Sequence, residues 1–152
     1  MRISTRGRYA LRMMIDLARH GTGNQPISLA MVAERTDLSR GYLEQLAQAL
    51  KHAGLLRSVA GRHGGYRLTR SPAEITIGHI VEASIGPLRI VECIEDPEDC
   101  PRAVGCECRI VYELINKRIT EVLHEYTLAN LLDPSWVHDG ELVPSLPTLI
   151  SN

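Results

Sequence analysis

A mainly α-helical chain with one small β-hairpin and a long C-terminal helix is predicted by three observations. Apolar residues recur at spacings of three and four in several segments. Two short segments, each preceded by a serine, are separated by a tight turn. One glycine-rich basic stretch, LLRSVAGRHGGYRLTR, interrupts the helical pattern with two strand-like runs.

Thr5 to His20 places Ala10, Met13, Met14 and Leu17 on one stripe and Arg8, Arg12, Asp16 and Arg19 on the other side, the pattern of an amphipathic helix. After the breaker from Gly21 to Pro26, Ser28 caps SLAMVAERTD, and Ser39 caps SRGYLEQLAQALKHAG, which ends at Gly54. Two helices joined in this way have helix-turn-helix spacing. Leu55 to Val59 and Tyr66 to Thr69 then read as strands, with Gly61, Gly64 and Gly65 suited to the turn between them. Helix, turn, helix and basic hairpin in that order describe a winged helix. A further helix is expected in SPAEITIGHIVEASIG, starting near Thr76. A long one follows from about Arg109, where Val111, Leu114, Ile115, Ile119, Val122, Leu123 and Tyr126 recur at helical spacing. Its apolar face needs a partner surface, either a second copy in a homodimer or its own chain. The expected division is a DNA-binding domain at 1–72, a connecting helix and cysteine loop at 73–108, a dimerisation helix at 109–132 and an irregular tail at 133–152.

The formal net charge of −1 conceals two halves of opposite sign. Residues 1–70 carry 12 Lys and Arg against 4 Asp and Glu, net +8, and residues 71–152 carry 5 against 14, net −9. A basic half beside an acidic one fits a polyanion partner for the first. Charge breaks up the apolar runs at the N-terminus, and no stretch approaches the ~20 apolar residues of a membrane span, so a cytoplasmic protein is expected. No nucleophile constellation is legible, and GRHGG lacks the lysine and following helix of a phosphate loop, so nothing supports an enzyme. The scattered histidines His20, His52, His79, His124 and His138 read as surface or satisfied core residues.

All 4 cysteines fall within CIEDPEDCPRAVGCEC, at Cys93, Cys100, Cys106 and Cys108. In a reducing compartment such a cluster points to metal or redox chemistry rather than structural disulfides. Structural zinc prefers paired CxxC knuckles, absent here, and a thiol switch needs only two cysteines. Loop thiolates with a proline directly after one of them, as in Cys100-Pro101, suit an iron-sulfur cluster, with zinc close behind. Pro97, Pro101 and Gly105 make the stretch a loop.

For DNA, the second helix of the motif offers Ser39, Arg40, Gly41, Tyr42, Glu44 and Gln45, where Gln45 can pair with adenine and Glu44 can accept from cytosine. Arg62 and His63 stand at the hairpin tip, and Arg2, Arg6 and Arg8 stand where an N-terminal arm would add backbone contacts.

Taken in order, MRISTRGRYALRMMIDLA, LSRGYLEQLAQALKHAGLLRS, GRHGGYRL and the cysteines before a long helix resemble the Rrf-two family of bacterial transcription regulators, from residue 1 to about residue 132. The resemblance implies a homodimeric winged-helix protein that binds double-stranded DNA, and a repressor is expected ahead of an activator. In its cluster-binding members three loop cysteines hold a [2Fe-2S] or [4Fe-4S] cluster that tunes DNA binding, and Cys93, Cys100 and Cys106 match them. The fourth ligand departs from the pattern: IscR-like members have a histidine where this chain has Arg109, and NsrR-like members an acidic residue where it has Arg8. Cys108 is then the leading fourth candidate, followed by Glu107 or a group from another chain. In the wing, IscR-like members have arginine at the position of Ala60, and Arg62 stands two residues on. The rivals are a zinc-bound or thiol-switch regulator, and a small iron-sulfur redox protein that never meets DNA.

Overall fold

The computed structural model describes residues 4–21, 25–94, 100, 105–138 and 141–142. Helix α1, Thr5–His20, starts where Ser4 Oγ accepts from Gly7 N–H. Helix α2, Leu29–Thr36, and helix α3, Arg40–His52, start at Ser28 and Ser39, whose hydroxyls accept from Met31 and Tyr42 N–H. Each cap satisfies an amide that the first turn leaves without an intrahelical partner. Strands β1, Leu56–Val59, and β2, Gly65–Leu68, pair antiparallel with Arg57 opposite Arg67. The loop before α2 extends this hairpin: Ile27 and Tyr66 exchange both backbone hydrogen bonds, at 2.9 and 2.8 Å. The wing is thereby fastened to the helix-turn-helix.

The core is aliphatic, as a chain without phenylalanine requires. Met13, Met14, Val32, Leu43, Leu46, Leu50, Ile75, Ile80 and Leu128 are fully covered and form one cluster. Helix α4, Ile77–Ile85, lies along α1, and the guanidinium of Arg6 donates to the Ser84 carbonyl at 2.6 Å. Buried Asp16 on α1 takes a bidentate pair from Arg35 on α2, at 2.8 and 2.7 Å. This hydrogen-bonded pairing raises the guanidinium pKa of Arg35 above its ordinary value. Asp16→Ala removes both bonds from a partly buried cation. It is expected to lower unfolding free energy by about 2 kcal/mol in urea titration, less than a fully buried pair because water still reaches Arg35. An unchanged midpoint would show that the pair is ornamental.

Helix α5, Glu107–Glu125, differs from expectation at both ends. It takes in Cys108, so that cysteine is helical rather than in a loop, and Cys106 is the N-cap residue. It ends at Glu125 rather than running on to residue 132. Tyr126 is extended, and a separate helix α6, Leu128–Leu132, begins after Thr127. The break has two causes. Thr127 and Asn130 form a capping box that starts a new helix. The extended backbone also pairs with the entry to α4, through Ile77 N–H to Tyr126 C=O at 2.9 Å and Leu128 N–H to Ile75 C=O at 2.7 Å. The tail, expected to be irregular, forms a 3-10 turn at Pro134–Trp136 and a short hairpin of β3, Val137–His138, with β4, Glu141–Leu142. Residues 143–152 lie outside the described residues. None of the described helices is long and apolar enough to cross a membrane.

Candidate functional site

Two regions carry the residues that the sequence marks. The first is the outward side of α3 and the wing. Arg40, Gly41, Glu44 and Gln45 are exposed on α3, and Arg62 and His63 are exposed at the tip between β1 and β2. An open cleft between them is bordered by Ser28, Arg40, Glu44, Gln48, Ala60 and Tyr66. Arg40 Nε lies 3.2 Å from Glu44 Oε1 with both side chains mostly in water, a pair weak enough to part for a phosphate or base. Ser39 spends its hydroxyl on the α3 cap, and Tyr42 packs edge-on against Tyr9 of α1 with centroids 5.8 Å apart, so both position the helix.

Of the N-terminal arginines, Arg2 lies outside the described residues. Arg6 is occupied by Ser84, which makes it a tie between α1 and α4. Arg8 is exposed and donates to Thr5 Oγ1 at 3.2 Å. Arg12, not singled out from the sequence, lies over the Tyr9 ring at 5.7 Å and continues the Tyr42 to Tyr9 stack.

The second region joins the cysteine segment to α5. Cys93 sits in a 3-10 turn, Glu92–Ile94, and Cys106 caps α5. Cys93, Cys100 and Cys106 are partly covered, whereas Cys108 is exposed. Residues 95–99 and 101–104, between these thiols, lie outside the described residues. Among the described residues, no three His, Cys, Asp or Glu side chains are grouped closely enough to hold one metal ion. The donor chemistry still fits an iron-sulfur cluster, because four free thiols flank one segment and three have partial shelter.

Sequence reading missed what holds this segment. Arg109 Nη2 donates to Ile94 C=O at 3.3 Å while its Nε donates to Glu113 at 2.8 Å. Asn116 Oδ1 accepts from Ile90 N–H at 3.0 Å. The only signal was the i,i+4 spacing of Arg109 and Glu113, which any solvated helix face shows. Beside these ties lies a cavity of about 540 Å³ between α1, the end of α4 and α5, walled by Ile85, Leu88, Ile90, Ile119 and Leu123. The opposite side of α5 is bare: Ile110 is 74% exposed, Leu114 55% and Val111 53%, with Ile115 and Val122 also exposed, and no residue of α5 is buried.

On an operator, Arg62→Gln is expected to weaken binding evenly across DNA sequences and to reduce the slope of log affinity on log salt by about one. Gln45→Ala is expected to cost about 1–3 kcal/mol at one base pair and to leave that slope alone. Anisotropy titrations across a salt series read both, and a slope untouched by Arg62→Gln would take the wing away from the phosphates.

Residues 3–134 match a family model described as an iron-dependent transcriptional regulator, Rrf2. The chain is 38% identical to Protein rrf2 of Nitratidesulfovibrio vulgaris over 144 residues, covering 95% of this chain and 92% of that one. It is 43% identical to the HTH-type transcriptional regulator CymR of Bacillus subtilis over 129 residues, covering 84% and 92%. The solved structure of T. potens IscR superposes with a TM-score of 0.71 at 36% identity, covering 95% of this chain and 93% of that one. With the winged helix in place, a regulator family model matched over residues 3–134 and a relative named as a regulator across 84% of its length, the chain belongs to the Rrf2 family and is a DNA-binding transcription regulator, not an enzyme.

Proposed function

We propose that this regulator is a homodimeric repressor that senses iron, redox state or nitric oxide through an iron-sulfur cluster. Cys93, Cys100 and Cys106 would hold the cluster, with Cys108 the leading candidate for a fourth, more dispensable position. One observation carries the reading: the cysteine segment is fastened to α5 by Arg109 and Asn116, and α5 leaves an apolar side uncovered by its own chain. The side chains of Ile110, Val111 and Leu114, each more than half exposed, gain by burial in proportion to the apolar area they expose, at about 25 cal/mol per Å², which favours a dimer through α5.

The cluster, when bound, supplies a linkage among the thiols that iron supply and oxidation can make or break. The chain's own residues do the rest. Arg109 holds the Ile94 carbonyl, so a shift in the segment bearing Cys93 pulls on the first turn of α5. Asn116 holds Ile90 two turns further along. A dimer joined through α5 carries two copies of α3, whose spacing has to match successive major grooves. Displacing α5 against the body alters that spacing and so shifts the population able to bind.

The visible absorption spectrum of protein isolated without oxygen, with iron, acid-labile sulfide and zinc assays, tests the metal assignment. Charge-transfer bands with iron and sulfide support it, and stoichiometric zinc overturns it. A second reading, a thiol switch without metal, takes its support from the 43% identity to CymR, the cluster-free type within the family. It predicts no metal and DNA binding that oxidant changes and dithiothreitol restores.

A further inference from the structure

At the opposite end of α5 from the cysteines, a closed chain of hydrogen bonds joins α5 to α4. Thr76 N–H donates to His79 Nδ1 at 3.2 Å, and His79 N–H donates to Thr76 Oγ1 at 3.1 Å, a capping box with histidine in the place usually held by Glu or Gln. Thr76 Oγ1 lies 3.0 Å from His124 Nδ1, and His124 Nε2 lies 3.2 Å from Glu82 Oε1. The rings of His79 and His124 stand edge to face, with centroids 5.2 Å apart. Gly78 leaves room for this, since a Cβ there would come within 2.5 Å of His124 Nε2.

Partner chemistry sets the protons. A backbone amide can only donate, so His79 Nδ1 must carry a lone pair. An ionised Glu82 can only accept, so His124 carries a proton on Nε2, and its Nδ1 either accepts from the Thr76 hydroxyl in the neutral ring or donates to it in the imidazolium. Each of these donors and acceptors is matched with both imidazoles neutral. The one site for a second proton on His79 is Nδ1, where it would meet the Thr76 N–H donor to donor.

The charged and titratable groups facing His79 are Glu82 on α4, His124 on α5 and Arg70 in the segment after β2. The start of α6 brings the uncharged Thr127, its N-cap, and Asn130 to the junction. From α1, Arg6 engages the far end of α4 at Ser84. An imidazolium at His79 would face the cation of Arg70 and compete for the carboxylate that holds His124.

We propose that this junction is a proton-operated latch between the DNA-binding body and α5: neutral His79 keeps it closed, and uptake of a solvent proton at Nδ1 opens it, freeing the end of α5 to change its angle. Burial first, then repulsion from His124 when that ring carries a second proton and from Arg70, lowers the His79 pKa from its ordinary 6.5. The latch therefore contributes fully above that value and is lost as pH falls through the lower folded one. It is a property of the chain alone and stands whatever the cysteines bind.

The test is native-state amide exchange at Ile77 and Leu128, whose N–H groups bond across the junction, corrected for the intrinsic effect of pH. Between about pH 7.5 and about pH 5.5 protection in the natural chain is expected to fall roughly tenfold. In His79→Gln the side-chain carbonyl keeps the capping bond at every pH, and protection is expected to stay level to within about twofold. Equal pH dependence in both proteins overturns the latch, as does a natural chain with none. A ring titration of His79 by NMR in the natural chain is independent of any variant. It should follow the loss of protection, and titration out of step with that loss overturns the latch as well.

Discussion

Anaerobically isolated Cys106→Ser protein is expected to contain less than about a tenth of the iron and acid-labile sulfide of the natural chain, because a serine hydroxyl is a poor substitute for a thiolate ligand. Cys93→Ser and Cys100→Ser should behave alike. Cys108→Ser is the informative contrast: its thiol is the exposed one, in the first turn of α5 rather than in the flanking segment, so about half or more of the iron should remain. Metal analysis beside the visible spectrum reads all four. Equal loss in all four would make Cys108 a full member of the set, and iron retained in Cys106→Ser would remove the site from where it is placed here. None of these substitutions touches the core, so the unfolding midpoint serves as the control for folding.

The second large effect lies in the wing. A Cβ on Gly65 would overlap the carbonyl and carbon of Ile27, which belong to backbone and cannot rotate aside. Gly65→Ala must then break the paired hydrogen bonds between Ile27 and Tyr66 or displace β2. The expected cost is about 2–3 kcal/mol in stability. DNA affinity should fall at least about tenfold, since the wing loses its fixed relation to α3. Urea denaturation and anisotropy measure the two, and the same binding constant in the folded variant would show that wing placement is irrelevant to the operator.

Much of the fold was legible because it is local. Ser28, Ser39 and Thr76 are caps whose partners lie within three residues, so α2, α3 and α4 begin where those residues predict. The alternation of Met13, Met14 and Leu17 against the arginines of α1 likewise needs nothing but its own helix. The end of α5 was not legible, because the break at Tyr126 depends on pairing with Ile75 and Ile77, some fifty residues earlier. Helical spacing continues through Leu131 and reads as one helix until that partner is known.

The candidate site divides along the same line. Exposed Arg40, Glu44, Gln45, Arg62 and His63 follow from helix and hairpin periodicity. Arg6 did not follow, because its acceptor is the Ser84 carbonyl, a backbone atom with no sequence signature. Arg109 read only as a residue that cannot ligate, and its grip on Ile94 needed the two segments side by side. His79 and His124 looked scattered for the same reason, being 45 positions apart in sequence and edge to face in space.

The central question for the molecule is whether the cysteine segment governs the DNA-binding half. The most direct measurement is an anisotropy titration of a DNA fragment from the regulator's own upstream region, run without oxygen at one fixed salt concentration, with iron-loaded protein and with the same preparation stripped of iron. At least a tenfold difference in affinity between the two forms is predicted, about 1.4 kcal/mol. Identical titration curves, from a preparation shown to hold iron and sulfide before stripping, would contradict it.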